Sequence, residues 1–219
     1  MKKLVIAIDG PAGAGKSTIA KIVSEKLGYI YIDTGAMYRA VSWAVLKSGT
    51  EITDENILTV AEKVDVSLQN AEDNKLHVFA NEVDITDEIR TPEVTKIVSQ
   101  VARLAPVREK MVVIQRKLAE NGAVVMDGRD VASRVLPNAD IKIFLTASIE
   151  ERAERRYKEM KNKGFDVNLK ELQDDIAARD KADTERKVSP LVKVPDAILL
   201  DTTGMPIDIV VDKILEMCR

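Results

Sequence analysis

The sequence has almost no cysteine and no long apolar run. Cys218 is the only cysteine among 219 residues, which excludes an internal disulfide, and a chain of this length buries enough surface to fold without one. The first apolar run covers residues 4–8 and stops at Asp9, short of the roughly 7–15 residues in the core of a secretory signal. No stretch approaches the ~20 apolar residues of a membrane-spanning helix. We therefore expect a cytoplasmic protein that does not bind membranes.

The chain also lacks a large excess of either positive or negative charge. Lys and Arg number 33 and Asp and Glu number 36, so the formal net charge is −3. Nonspecific nucleic-acid binding needs a basic surplus, which this chain lacks as a whole. The length exceeds one minimal domain but is short for two. We expect a monomer with a single core, residues 1–219, that carries an insertion.

The apolar pattern predicts an α/β fold with a parallel sheet. Short β-branched runs predict buried strands at residues 4–8, 29–32, 123–126, 141–145 and 197–200. Segments with helical spacing alternate with these strands, at residues 19–27, 37–46, 149–161, 169–181 and 207–217. The pattern changes after Gly49: short runs at 65–69, 76–79 and 83–85 predict a small antiparallel sheet, followed by helices at 92–103 and 106–121. The insertion therefore falls between the second and third strands of the core.

One motif carries the chemistry, because it matches the phosphate-binding P-loop pattern GxxxxGK[ST] in full. It consists of Gly10, Pro11, Ala12, Gly13, Ala14, Gly15, Lys16 and Ser17, followed by Thr18. Glycines let backbone N–H groups surround phosphate oxygens, and the following helix adds the positive end of its dipole. Lysine reaches the β- and γ-phosphates, and the serine hydroxyl ligates Mg²⁺. We predict that residues 10–18 bind ATP, with Lys16 catalytic and Ser17 a metal ligand.

Three other nucleotide-binding classes fit less well. Gly13 and Gly15 begin a dinucleotide-binding pattern with Asp33 at the distance of a ribose-binding acid, but Thr18 replaces its third glycine. A guanine-reading switch carries N-K-x-D, and residues 74–77 end instead in His77. A nucleic-acid motor would need a larger core and a basic track. Transfer of phosphate to a small acceptor would separate an enzyme from a switch.

Further motifs resemble those of the nucleoside monophosphate kinases. Residues 33–39 read DTGAMYR, and two later motifs, DGRD at 127–130 and RDKADTER at 179–186, narrow the resemblance to the bacterial cytidylate kinases. The resemblance implies a P-loop kinase fold with a five-stranded parallel sheet of order 2-3-1-4-5. It also implies an inserted monophosphate-binding domain at residues 62–103 and a short lid at residues 148–167.

The resemblance implies ATP-dependent, Mg²⁺-requiring phosphorylation of CMP, with dCMP as a second acceptor; the alternative is a kinase of the same fold that acts on UMP or AMP. It implies CMP contacts from Thr34, Arg39, Ser99, Arg108, Arg129, Asp130, Arg179, Asp183 and Arg186. Of these, Arg129, Arg179 and Arg186 join Lys16 as catalytic residues. Asp127 directly follows an apolar strand, at a position where a carboxylate can bind Mg²⁺. We therefore predict it as a metal ligand beside Ser17. Spacing also places Arg179, Asp183 and Arg186 on one helical face.

The arginines of the predicted lid allow two interpretations. Arg152, Arg155 and Arg156 share a helix with several glutamates. They either form exposed i,i+4 ion pairs, such as Glu151 with Arg155, or close over ATP and exclude water.

Overall fold

The structure is a computed structural model that describes residues 3–71, 75–162 and 164–219. Residues 72–74 of the predicted insertion and residue 163 of the predicted lid lie outside the described ranges. Among the described helices, none is both long and apolar enough to cross a membrane.

Five of the strands form the predicted parallel sheet. In chain order the strands of the described residues are β1 Val5–Asp9, β2 Ile30–Asp33, β3 Val66–Asn70, β4 Leu76–Ala80, β5 Val83–Asp84, β6 Val124–Gly128, β7 Ile141–Thr146 and β8 Ile198–Asp201. The parallel sheet has the order β2-β6-β1-β7-β8. Numbered along the chain, these five strands give 2-3-1-4-5, so the predicted order is confirmed.

Helices cover both faces of this sheet, and α2 packs against the small one. In chain order they are α1 Lys16–Leu27, α2 Thr34–Lys47, α3 Asp54–Lys63, α4 Pro92–Ala102, α5 Ala105–Leu118, α6 Ile149–Asn162, α7 Leu169–Glu185 and α8 Ile207–Met217. A 3₁₀ turn at Glu88–Arg90 and a π-helical turn at Val131–Val135 are short additions that the sequence pattern did not predict. The π-helical turn directly follows the predicted Asp130.

The sheet order brings three carboxylates to one edge. Strand β1 is central and pairs in parallel with β6 and β7, so that Asp9 lies opposite Gly128. Strand β2 pairs with β6 and sets Asp33 opposite Asp127. Parallel strands point their carboxyl ends the same way, and ligands of open α/β sheets bind at that edge. The P-loop leaves β1 at this edge.

The insertion packs against the core through a shared apolar cluster. Strands β3, β4 and β5 form the predicted antiparallel sheet. Buried Val78 and Ile85 from this region belong to one cluster with Met37 and Val41 of α2 and Met111 of α5. Helix α2 therefore carries the insertion on one face while its amino end remains at the sheet edge.

Two helix boundaries differ from the sequence prediction in ways that affect the site. Helix α2 begins at Thr34, because the Asp33 side chain accepts a hydrogen bond from the Ala36 N–H at 2.9 Å and caps the helix. Helix α7 continues past residue 181 to Glu185, and Arg186 is the first residue beyond it, in extended conformation. Arg186 therefore does not belong to the helical face that the spacing predicted.

Candidate active site

The P-loop connects β1 to α1 and lines a large cleft. A Cβ added at Gly10 would overlap the carbonyl oxygen of Leu145, so only glycine fits where the loop leaves the sheet. Gly15 has φ of 85° and caps α1 without a side-chain hydrogen bond, which leaves the first N–H groups of the helix available to an anion. Ala12 to Thr18 line an open cleft of about 1630 Å³, whereas Gly10 and Pro11 are not part of its wall.

Lys16 is buried beside other positive charges. Its Nζ donates a hydrogen bond to the Pro11 carbonyl oxygen at 2.8 Å. Burial, followed by the charge of Arg129, lowers the pKa of Lys16 to about 7. The lysine thus lies in a site that is short of negative charge, and an anion bound there would favour its charged form.

Asp127 lies next to the P-loop serine. Its Oδ2 accepts a hydrogen bond from Ser17 Oγ at 3.1 Å, and its Oδ1 accepts one from Tyr31 Oη at 2.8 Å. Burial, followed by the charge of Asp33, raises the pKa of Asp127 to about 7. A hydroxyl and a carboxylate side by side offer the oxygen ligands that Mg²⁺ prefers. Among the described residues, no group of three or more His, Cys, Asp or Glu side chains is placed to hold a metal ion.

The structure brings nearly all of the predicted CMP contacts to one small recess. Its volume is about 50 Å³, and it is lined by Thr34, Ser99, Arg108, Arg129, Asp130, Arg179, Asp183 and Arg186 together with Tyr38, Val98 and Ala102. The predicted residues come from helices α2, α4, α5 and α7, from the residue after α7, and from the segment directly after β6. Arg129 and Arg179 also line the large cleft, so these two arginines lie between the recess and the P-loop.

One end of the recess is built for a planar polar group. Arg108 and Asp130 are buried and their Nη2 and Oδ2 atoms lie 2.6 Å apart. The Arg108 guanidinium stacks 5.0 Å from the centre of the Tyr38 ring. Arg108 Nε is buried without a hydrogen-bond partner among the described residues. Unpaired buried donors are costly, so this geometry favours a ligand that accepts hydrogen bonds there.

The other end carries guanidinium groups with few counter-ions. Arg129 Nε donates to Asp183 Oδ2 at 2.9 Å, and Arg179 Nε is buried without a hydrogen-bond partner among the described residues. Burial, followed by the charge of Arg129, lowers the pKa of Arg179 to about 10. Such a cluster stabilises a bound phosphate, which supplies the missing negative charge.

Arg39 is the predicted CMP residue that lies outside the small recess. It lines the large cleft, where its Nη1 donates to the Ile89 carbonyl oxygen at 3.2 Å and to Thr95 Oγ1 at 2.8 Å. Burial, followed by the charge of Arg179, lowers the pKa of Arg39 to about 9. Its contacts with the insertion therefore hold it at the border of the arginine cluster.

The three lid arginines differ in their surroundings. Arg152 is buried and donates to the backbone of Ala12 and Ala147 and to Asp180. Arg155 pairs with Glu151 at 3.0 Å and binds Thr202. Arg156 pairs with the half-exposed Glu159 and lies close enough to lower the pKa of Arg39 and Arg179. The predicted Glu151–Arg155 pair is thus present, but Arg152 fits neither of the two interpretations.

Other residues of the site were missed by sequence reasoning. Asp9 accepts hydrogen bonds from the Val131 and Ala132 N–H groups at 2.9 and 2.7 Å and so shapes the turn that carries Asp130. Arg90 pairs with Asp33 at 2.7 Å and joins the insertion to the sheet edge. The segment from Thr202 to Ile207 borders the cleft beside the start of α1. The place of Asp9, at the end of an apolar run and directly before the P-loop, was a usable signal; the other contacts join distant segments.

The fold and the cleft together define a P-loop phosphotransferase, in which an arginine-rich recess lies next to the P-loop cleft. A family model described as cytidylate kinase matches residues 6–219. The cytidylate kinase of Bacillus subtilis is 56% identical over 216 residues, which are 98% of this chain and 96% of that protein. The Bacillus cereus cytidylate kinase is 54% identical over 217 residues, 99% and 96% of the two chains. This chain belongs to the cytidylate kinase family.

A comparison with solved structures concerns the fold alone. A chain from Eubacterium ventriosum, described as an uncharacterized protein, matches with a TM-score of 0.54 and 15% identity over 99% of this chain and 98% of that one.

Proposed function

We propose that this protein transfers the γ-phosphoryl group of ATP to CMP, and to dCMP as a second acceptor, giving ADP and the cytidine diphosphate. The observation that carries the proposal is the recess whose wall holds Arg108 and Asp130 at one end and the arginine cluster toward the P-loop at the other. This arrangement suits a nucleoside monophosphate whose base lies deep and whose phosphate points at the donor.

ATP would bind along the P-loop with its phosphates at the start of α1. Lys16 would leave the Pro11 carbonyl and contact the β- and γ-phosphates. The segment Thr202 to Ile207 borders the same cleft as Arg155, and we assign the adenine to this border. Gly10 and Pro11 would serve ATP indirectly, by setting the course of the loop.

CMP would place its phosphate among Thr34, Arg39, Arg129, Arg179 and Arg186. The Asp183 carboxylate would accept hydrogen bonds from the ribose hydroxyls, while Asp130, Arg108 and Ser99 would contact the cytosine. The acceptor phosphate is already ionised near pH 7, so no general base is needed. Catalysis then consists of positioning and of neutralising charge on the transferred group, which the guanidinium groups and Lys16 would supply.

The residues present fit a magnesium ion between the P-loop and β6. Ser17 Oγ and Asp127 Oδ2 lie 3.1 Å apart and provide a hydroxyl and a carboxylate. Bound there, Mg²⁺ would neutralise charge on the β- and γ-phosphates. Tyr31 and Thr34, which donate to the carboxylate and to the carbonyl of Asp127, would keep that residue oriented.

The insertion and the lid complete the proposal. We assign residues 62–103 to monophosphate binding, because Arg39 and Asp33 are tied to that segment through Thr95 and Arg90. We assign residues 148–167 to a lid over ATP, in which Arg156, paired with Glu159 on the same helix, is the arginine near the cluster. We further propose that the protein acts as a monomer in the cytoplasm.

A panel of acceptors tests the substrate. ADP release is measured with CMP, dCMP, UMP and AMP, at fixed MgATP, and a Lys16→Ala preparation controls for contaminating kinases. We expect CMP and dCMP to give much the largest kcat/KM. A larger value for UMP or AMP would assign the recess to another base.

A further inference from the structure

A polar cluster outside the predicted ligand contacts joins the P-loop to the two helices that follow β7. The Asp180 carboxylate lies on α7, 168 residues from Ala12 in the sequence, yet its Oδ1 accepts a hydrogen bond from the Ala12 N–H at 3.0 Å. Its Oδ2 accepts a hydrogen bond from Arg152 Nη1 at 2.6 Å. Asp180 thus joins three segments of the chain at one carboxylate.

Arg152 binds the backbone carbonyl of the same residue, Ala12. It is 4% exposed, its Nη1 donates to the Ala12 carbonyl oxygen at 2.8 Å, and its Nε donates to the Ala147 carbonyl oxygen at 2.9 Å. A Cβ added at Gly13 would lie only 3.3 Å from Arg152 Cβ. Both backbone polar groups of Ala12 are therefore held by side chains from α6 and α7, and the loop packs closely against α6 at Gly13.

We propose that Asp180 is a positioning residue, which together with Arg152 locks the P-loop to helix α7 and so fixes the donor phosphates relative to the acceptor phosphate. Helix α7 carries Arg179 and Asp183 on either side of Asp180 in sequence, and Lys16 belongs to the loop that Asp180 holds. The inference rests on the acceptor role proposed above for α7.

The contacts of Asp180 with Ala12 and Arg152, which we call the lock, affect the transfer step rather than nucleotide binding. Each nucleotide keeps its own contacts when the lock is lost, so the KM values change little. Transfer, however, requires the two phosphates in line, and a displacement of about 1 Å costs on the order of 10²-fold in rate. A change that lowers the transfer rate without raising KM is the expected signature.

Two substitutions at Asp180 and one matched control test the lock. Asp180→Ala removes both contacts, whereas Asp180→Asn keeps an oxygen acceptor for the Ala12 N–H and loses the charge that faces Arg152. Asp174→Ala is the control, because Asp174 lies on the same helix and pairs only at the surface with Lys170, both side chains being more than half exposed. Single-turnover transfer to CMP is measured at saturating nucleotides, together with KM for ATP and CMP.

We expect the transfer rate to fall about 10- to 100-fold for Asp180→Ala and by less for Asp180→Asn. Both KM values should stay within about threefold, and the control should match the wild type. Amide hydrogen exchange of residues 10–15 in the nucleotide-free protein should become faster for Asp180→Ala and not for Asp174→Ala. This second readout does not depend on activity or on the identity of the acceptor.

Three results would overturn the inference. The first is a transfer rate within about twofold of wild type for Asp180→Ala in a folded protein. The second is a rise in KM for ATP with an unchanged transfer rate, which would make Asp180 part of donor binding. The third is unchanged exchange of the P-loop. If Asp180→Ala does not fold, the same three criteria apply to Asp180→Asn. Wild-type turnover of CMP, measured alongside, tests the proposed function separately.

Discussion

The sharpest test of base recognition is Asp130→Asn. Cytosine presents an N4 amino donor at its pairing edge, and uracil presents an O4 acceptor at the same position. A carboxylate accepts from the amino group and repels O4, so it favours CMP by attraction and by rejection. The structure adds a constraint, because Asp130 Oδ2 lies 2.6 Å from Arg108 Nη2.

This constraint determines how an asparagine would orient. Its amide oxygen would face the Arg108 guanidinium, since an N–H group there would meet another donor. The amide nitrogen would then take the place of Oδ1, which lies farther from its nearest guanidinium, 3.8 Å from Arg186 Nη2, and would offer a donor to the base. A donor at that place repels the cytosine N4 group and bonds to uracil O4, so the preference should weaken from both sides.

The hydrogen bond to cytosine determines the expected loss of activity, and the ion pair with Arg108 determines the expected loss of stability. A hydrogen bond to a charged group contributes about 1.5–3 kcal/mol, so kcat/KM for CMP should fall about 10- to 100-fold. The CMP-to-UMP ratio of kcat/KM should fall at least about tenfold, or ~1.4 kcal/mol. Loss of one partner of a buried ion pair also destabilises the fold, by about 3–5 kcal/mol, and thermal unfolding measures this.

The matched control is Asp196→Asn, which removes a carboxylate that pairs with Lys142 at the surface, where the Asp196 side chain is 64% exposed. It should leave both acceptors unaffected. An unchanged CMP-to-UMP ratio in folded Asp130→Asn would refute the reasoning and move base recognition to Ser99 and Arg108.

Three further predictions concern phosphate binding and pH. Lys16→Ala should lower kcat by about 10²–10³-fold with unchanged circular dichroism and melting, because the lost charge acts on the migrating group; activity within about tenfold of wild type would contradict that role. Arg179→Ala should raise KM for CMP and lower kcat, with less effect on KM for ATP; damage mainly to ATP binding would place this residue in the donor site. The pKa of Asp127 is raised to about 7 in the folded protein, so its protonated form is favoured by folding and its contribution to stability is lost as pH rises from about 4 to about 7. Urea unfolding of the nucleotide-free protein should detect this loss, and Asp127→Asn should reduce it; an identical pH dependence would argue against the raised pKa.

The core of the fold could be predicted because its signals are local. A β-branched run, the P-loop glycines and helical spacing up to Gly28 lie within one continuous segment, and the structure confirms strand, loop and helix there. Gly28 ends α1 with φ of 66°, as a glycine after a helix should. The strand order followed from the resemblance rather than from any local pattern.

The ends of helices were predicted less well where side-chain contacts determine them. Residues 33–36 were left between the predicted strand and the predicted helix, yet the Asp33 side chain caps α2 and the helix starts at Thr34. The prediction for α7 stopped near residue 181, whereas the helix continues to Glu185 and its last turn carries Asp183, which pairs with Arg129 in the recess. Local spacing does not contain such tertiary contacts.

The sequence alone determined which residue types carry the chemistry of this protein: the P-loop from Gly10 to Ser17, a carboxylate at the end of a buried strand, and arginines in three motifs. Only the tertiary structure decided their partners. These are Tyr31 with Asp127, Arg108 with Asp130, and Arg152 with both Asp180 and the Ala12 carbonyl of the P-loop. These pairs join segments far apart in the chain, and a side chain's partner depends on how sheet and helices pack, which no periodicity within one segment records.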